Sequence, residues 1–408
     1  MTPDTHGSAT ASTAPASGAL EVLRVFLRLG LTSFGGPVAH LGYFHAEIVE
    51  RRRWLTDDAY AGVVALCQFL PGPSSSQVGM AIGLMRAGPA GMLAAWLGFT
   101  LPSAIAMVIF AYGMSGAHEA GLAGGWLAGL KIAAAAIVAD AVLTMARSLT
   151  PDRSRRSLAL VAAALVASFP GALGQIAVIA GGGLIGYLLL RLPVTSAPGL
   201  MPAQYRPGRG LALGSLGLFA ALLIGLPLAA ASGDGGIALF DTFYRAGSLV
   251  FGGGHVVLPL IEAEVVHPGG LTREAFLAGY GAVQAVPGPL FTFAAYVGAA
   301  MPTAPNGLAG AAIALVAMFL PSMLLVLGAL RYWGLIAARA DVRNALAGMN
   351  AAVVGLLGAA FWDPVVTSAI GSPRAFALAL MAYLALVLWR VPPWAVVAGA
   401  ALAGAALL

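Results

Sequence analysis

Apolar residues run almost without interruption along most of this chain, and the polar positions gather in short clusters between them. Unbroken apolar stretches at about 89–113, 122–147, 155–170, 173–191, 210–232, 306–330, 344–362, 375–390 and 393–408 predict helices that cross a bilayer. The hydrocarbon core takes about 20 residues at 1.5 Å per residue. Four further apolar stretches break in the middle. In 20–50 the break is Phe34-Gly35-Gly36-Pro37, and in 56–86 it is Pro71-Gly72-Pro73. In 237–266 it is Phe251-Gly252-Gly253-Gly254-His255, and in 272–302 it is Pro287-Gly288-Pro289. A glycine costs a helix about 1 kcal/mol against alanine and a proline about 3 kcal/mol. The legs on either side are about 14 residues, roughly 21 Å, too short to cross. The pattern predicts nine spans and four re-entrant hairpins. The alternative is some thirteen ordinary crossings with short, tilted legs.

The broken segments recur. "FLRLGLTSFGG" at 26–36 matches "FYRAGSLVFGG" at 243–253, pairing Arg28 with Arg245. "WLTDDAYAGVVALCQFLPGP" at 54–73 matches "GLTREAFLAGYGAVQAVPGP" at 270–289, pairing Gln68 with Gln284. "TLPS" at 100–103 matches "FLPS" at 319–322, and "GLKIAA" at 129–134 matches "GMNAAV" at 348–353, setting Lys131 against Asn350. A collinear set of Arg, Gly and Pro matches at a nearly constant offset is the mark of an internal duplication.

The charges orient the two copies. Cytoplasmic loops of membrane proteins are enriched in Lys and Arg. The first copy has Arg51, Arg52 and Arg53 where the second has Arg273 alone. It has no basic residue across 113–125, where the second has Arg331, Arg339 and Arg343. It then has Arg147, Arg153, Arg155 and Arg156 where the second has Arg374. The bias changes sign at each loop, so the copies are expected upside down relative to each other. The unpaired helix at 210–232 supplies the odd crossing that inversion needs. The expected fold is an all-α polytopic membrane protein of two inverted-topology repeats with broken or re-entrant helical hairpins. Its expected parts are a disordered tail (1–18), a first repeat (19–191), a cytoplasmic loop with a linking helix (192–236) and a second repeat (237–408).

Composition narrows the function. The 408 residues are 60% hydrophobic and 9% charged, against about 25% charged in soluble domains. The mean hydropathy is +0.89. A soluble enzyme is excluded. The net charge of +5 follows from topology, so no nucleic-acid partner is expected, and no signal peptide is read at the start. Cys67 is the one cysteine and reads as a packing residue; neither a metal site nor a cofactor is expected. There is no Walker-type GxxxxGK[ST].

Broken helices at matching positions of two inverted halves point to a transport site, because irregular backbone at membrane depth survives only in protein or beside a water-filled cavity. Helix starts offer unpaired N–H groups and partial positive charge to an anion. Arg28, Arg245 and Lys131 agree in sign, and ionisable groups inside a bilayer are usually functional. The plainer readings are that both arginines snorkel to the interface and that Lys131 pairs with Asp140. Gln68 and Gln284 can donate to an oxyanion without a charge, as can Ser74, Ser75, Ser76 and Gln77 after the first tip, where the second copy keeps only Thr292. His40, His45 and His255 lie near the first breaks of the two halves, as proton carriers or as structural hydrogen-bond partners. Asp241, Glu262 and Glu264 are candidate counter-charges.

The Arg-bearing leg into "FGGP", with "RRRWLTDDAY", "QFLPGPSSSQ", "FGGGHVVLP" and "AVPGP", resembles the chromate ion transporter family in its long, two-domain form, over about residues 20–370. The resemblance implies chromate efflux across the bacterial inner membrane and chromate resistance. Its motif positions fall on Arg28, Phe34, Gly35, Gly36 and Pro37, on Pro71, Gly72 and Pro73, and on the second copies. One departure is Gly254, followed by His255, where the first copy has Pro37. Expected partners are a chromate or sulfate-like oxyanion, the lipid bilayer and a second copy of the chain; the N-terminus is expected in the cytoplasm. An anion channel and, more remotely, an integral-membrane enzyme remain as other readings.

Overall fold

The computed structural model of the chain describes residues 18–119, 124–169, 171–192, 207–251, 253–337 and 339–408. The expected tail up to residue 17, the segment 193–206 and Gly252 lie outside them. The described residues are helical with no strand. In the first half the helices are α1 (Ala19–Thr32), α2 (Gly36–His45), α3 (Asp57–Phe69), α4 (Ser74–Glu119), α5 (Gly125–Leu149), α6 (Arg153–Ser168) and α7 (Ala172–Leu189). Helix α8 (Arg209–Ala230) links to α9 (Gly235–Leu249), α10 (Val257–Val265), α11 (Arg273–Val283) and α12 (Phe293–Ala300). The chain ends through α13 (Gly307–Ala337), α14 (Ala340–Ala360), α15 (Thr367–Ala369), α16 (Pro373–Tyr383) and α17 (Pro393–Leu407).

Each expected break is a break. α1 stops at Thr32 and α2 starts at Gly36; α3 stops at Phe69 and α4 starts at Ser74. Within α4 the backbone leaves helical geometry at Ala87 and Gly88, just before Pro89, so its first leg is 74–86. The matching starts of α3 and α11 are capped alike: Thr56 accepts from the Ala59 amide at 3.3 Å and Thr272 from the Ala275 amide at 3.2 Å.

The broken segments turn back on themselves. Arg52, just after the first, bonds Glu21 at its start (3.0 Å). Arg86, ending the second, stacks its guanidinium 4.8 Å from the ring of Trp54, which precedes α3. On α9 and α10, Arg245 pairs with Glu264 at 2.9 Å, and on α11 and α12, the Tyr296 hydroxyl donates to the Ala275 carbonyl at 2.7 Å.

Among the described residues six helical runs are long and apolar enough to cross a membrane: Ser74–Gly116, Gly125–Leu149, Ala172–Leu189, Arg209–Ala230, Gly307–Ile336 and Ala340–Ala369. The other three expected spans are shorter: α6 has 16 residues, α17 has 15, and α16 has 11 before a π-helical end. α13 is the central post, with 78% of its apolar window buried, whereas α8 has only 11% buried and is peripheral. The halves interlock: α17 packs on α5 and α14 packs on α6 and α7. A side-chain carbon at Gly129 or Gly186 would run into the backbone of Ala400 or Asn344, so small residues set how closely these helices approach.

Candidate functional site: crossed tips and an arginine-lined cavity

In a Pro-Gly-Pro tip the glycine carries the one backbone N–H between two residues that have none. Both tips spend that donor on the opposite half. Gly72 N–H donates to the Val250 carbonyl at 2.7 Å, and Gly288 N–H donates to the Ser33 carbonyl at 2.9 Å. Val250 and Ser33 are the residues where α9 and α1 stop, so each tip closes the other half's break. Both glycines have left-handed backbone, φ 115° at Gly72 and 101° at Gly288, which other residues rarely adopt. A Cβ at Gly288 would stand 2.9 Å from Ser103 Oγ, and one at Gly72 would run into Ser322 Oγ, the matching serine of the second half. Gln77 holds the first tip by donating to the Pro71 carbonyl at 2.6 Å and to Ser322 Oγ at 3.2 Å.

Around the Ser33–Gly288 crossing several buried polar atoms have no partner. His40 faces Ser75 Oγ through Nδ1 at 3.3 Å, and its ring stands edge-on to Phe99. Ser33 Oγ, His40 Nε2, Ser76 Oγ, Thr100 Oγ1 and Gln284 Nε2 are buried with no hydrogen-bond partner. A buried polar group without a partner costs about 1–3 kcal/mol. The three hydroxyls and the amide N–H of Gln284 can each offer hydrogen to an acceptor.

A cavity of about 200 Å³ adjoins the other crossing. Gln68 and Phe69 of α3, Phe251 of the second break, Asn350 of α14, and the arginines Arg155 and Arg343 line it. Asp152 caps α6 by accepting from the Arg155 amide at 2.9 Å, and its carboxylate also pairs with that guanidinium. These contacts hold the Asp152 carboxyl below the ordinary carboxylate range, the amide bond contributing most. The loops that meet here are the arginine-rich ones: Arg331 donates to the Pro207 carbonyl at 2.8 Å and Asn344 accepts from the Leu192 amide at 3.2 Å.

Gln68, Phe251 and Asn350 are thus brought to one cavity. The remaining sequence candidates are placed as follows. Arg28 is exposed on α1. Arg245 is held at 2.8 Å by Asp241 and 2.9 Å by Glu264, beside a separate small cavity. Lys131 is half-buried on α5, and no ion pair joins it to Asp140 among the described residues. His255 bonds the Tyr280 hydroxyl at 2.7 Å, His45 pairs with Asp57 and Glu50 at the surface, and Glu262 faces Arg273 at 3.5 Å. Phe34 is half-buried; Gly35 and Gly36 turn the chain into α2, where Pro37 occupies the first turn. Gly253 and Gly254 lead into the single 3-10 turn before α10. Pro73, Ser75 and Ser76 are buried, Ser74 opens α4, and Pro287 and Pro289 flank the second crossing. Thr292 bonds the Pro289 carbonyl at 2.8 Å, and Cys67 is buried and free. The sequence reading missed Arg155, Arg343 and Ser148, all on the cavity wall. It used both arginines only to orient loops; that two arginine-rich loops share a side was the signal that they could converge.

Crossed, broken helices beside an arginine-lined cavity, with six helices of membrane length and no strand among the described residues, define an all-α polytopic membrane protein. The chain belongs to the chromate transporter family, whose model matches residues 20–187 and again residues 237–405. It is 28% identical to the chromate transport protein of Cupriavidus metallidurans, over 98% of this chain and 96% of that one. It is 29% identical to the probable chromate transport protein of Synechococcus elongatus, over 85% of this chain and 84% of the relative. It is also 29% identical to the chromate transport protein of Pseudomonas aeruginosa, over 83% and 79%. No solved structure matches.

Proposed function

We propose that this protein exports chromate, a tetrahedral dianion, from the bacterial cytoplasm across the inner membrane and so confers chromate resistance. The observation that carries the reading is the cavity in which Arg155 and Arg343 stand with the uncharged donors Gln68 and Asn350. Arginine offers a planar fork of N–H donors suited to oxyanions. The positive-inside rule puts the arginine-rich loops, and this cavity, in the cytoplasm. From there the route leads to the crossings, where the unpartnered hydroxyls and the Gln284 amide beside Ser33 and Gly288 can donate to an anion. The two halves act as inverted repeats, 19–191 and 237–408, whose re-entrant hairpins meet near mid-membrane and alternate access around the crossed tips. Expelling a dianion from a negative-inside cell gains about 4.6 kcal/mol per 100 mV, at about 2.3 per charge. No driving ion is required for export by this reckoning. The family of the relatives and their names support chromate as cargo; sulfate, the same shape and charge, is the competing substrate.

The test is chromate uptake into inverted membrane vesicles. Saturable uptake that rises with an interior-positive potential is expected, with sulfate as a weaker competitor. Absence of uptake at any potential would remove chromate, and a linear, unsaturable flux would favour a channel.

A further inference from the structure

Matching positions of the two halves stand in different surroundings. The family model matches the chain twice, and the collinear motifs fix which positions correspond. In the cavity beside the second break, Gln68 and Phe69 of α3 line the wall together with Leu346 and Asn350 of α14. Their counterparts are Gln284 and Ala285 at the end of α11, and Leu127 and Lys131 of α5. There the corresponding space is shut. Ala285 and Leu127 pack against one apolar cluster built on Leu130, Ala133, Ile137 and Ala278. Gly281 of α11 lies directly on α5, and a Cβ there would run into the Leu130 carbonyl. At the position aligned with Gly281 the first half has Ala65.

The shut counterpart keeps polar groups that an apolar seal does not use. Gln284 Nε2 is buried with no hydrogen-bond partner, whereas Gln68 is exposed at the cavity. Lys131, half-buried, stands where the open cavity has Asn350. Arg374 is exposed in the first turn of α16, as Arg155 lies in the first turn of α6. Phe34 follows Ser33, whose carbonyl is held by Gly288, just as Phe251 follows Val250, held by Gly72. A buried donor without an acceptor is costly to keep. A second state that supplies the acceptor accounts for it.

We propose that this structure is one of two mirror states, and that the other opens a second oxyanion site between α11 and α5, lined by Phe34, Gln284, Lys131 and, at its mouth, Arg374. In that state α3 packs on α14 and the cavity of Arg155 and Arg343 closes. The inference rests on the transport reading, because exchange of conformation between inverted copies is what alternates access, and inversion sets the second site on the outer side of the membrane. Both sites offer cations and a glutamine amide to the same tetrahedral dianion. They differ in one donor: the uncharged Asn350 inside is replaced by the ammonium of Lys131 outside. Gly281 is the residue that lets α11 close on α5, and so favours the state seen here.

Thiol labelling reads the two states without measuring flux. The full-length protein carries Cys67→Ala and one new cysteine, Ala285→Cys for the shut site or its counterpart Phe69→Cys for the open cavity. A membrane-impermeant thiol reagent is expected to reach Ala285→Cys in intact cells and Phe69→Cys in inverted vesicles. Adding Gly281→Ala, which forces α11 off α5, is expected to speed the first reaction severalfold and to slow the second. No reaction at Ala285→Cys in intact cells, or reaction there only from the cytoplasmic side, would overturn the second site. So would a Gly281→Ala variant that folds and leaves both rates unchanged or raises both. If Gly281→Ala does not fold, the side from which Ala285→Cys reacts in its absence still decides. Chromate is expected to slow both reactions. Labelling from outside that chromate does not slow would support the mirror state and remove chromate as its occupant. Chromate uptake by inverted vesicles with Ala285→Cys never labelled from outside would leave transport standing and sink the mirror site.

Discussion

At the scale of single residues, the arginines divide by what they face. Arg155 and Arg343 line the cavity; Arg245 is bound by two carboxylates. A hydrogen bond to a charged group contributes about 1.5–3 kcal/mol. Arg155→Ala or Arg343→Ala is therefore expected to raise the chromate KM by about tenfold or more, at 1.4 kcal/mol per decade. Asp152→Asn should act the other way: asparagine caps a helix as well as aspartate, so α6 is kept while the carboxylate beside Arg155 is removed. Uptake in inverted vesicles is expected to show a lower KM, and an unchanged or raised KM would mean that Arg155 does not meet the anion. Gln68 and Asn350 were legible in the sequence because they are polar residues at repeated positions inside apolar segments. Arg155 and Arg343 were not, because a loop arginine reports which side it is on before it reports what it faces.

At the scale of elements, the tips were legible and their pairing was not. Glycine and proline mark a break wherever they fall in an apolar run, and the helix ends at Thr32, Phe69, Leu249 and Val283 follow them closely. The crossing of tip and break is made by backbone groups, Gly72 N–H to Val250 and Gly288 N–H to Ser33, and a backbone bond leaves no side-chain pattern to read. Its consequence is local and severe. Gly72→Ala and Gly288→Ala each place a Cβ against the opposite half's serine and force left-handed backbone, which alone costs about 1–2 kcal/mol. Both variants are expected to lower the thermal stability of the purified protein and to abolish uptake. Gly36→Ala also has left-handed backbone but no neighbour within 4 Å, and should be the milder of the three. Equal losses at all three would mean that backbone conformation, not the crossing, is what the tips require.

At the scale of the whole molecule, the question is how the halves face the membrane. The sequence carried the argument for inversion in its arginines, and re-entrant hairpins would fit it: the two ends of each broken segment of the first half lie close together, Glu21 meeting Arg52 and Arg86 covering Trp54. Asp58 and Glu274 stand at matching positions in the first turns of α3 and α11, and both are exposed. Single cysteines there test the arrangement directly. Cys67, fully buried, is first replaced by alanine so that no other thiol responds. A membrane-impermeant thiol reagent added to intact cells is expected to label Glu274→Cys and spare Asp58→Cys, and in inverted vesicles the pattern should reverse. Labelling of both from one side would leave the halves parallel. The cavity with Arg155 and Arg343 would then lose its tie to an inverted pair, because it is inversion that brings two non-equivalent loops, the one before α6 and the one before α14, to the same face.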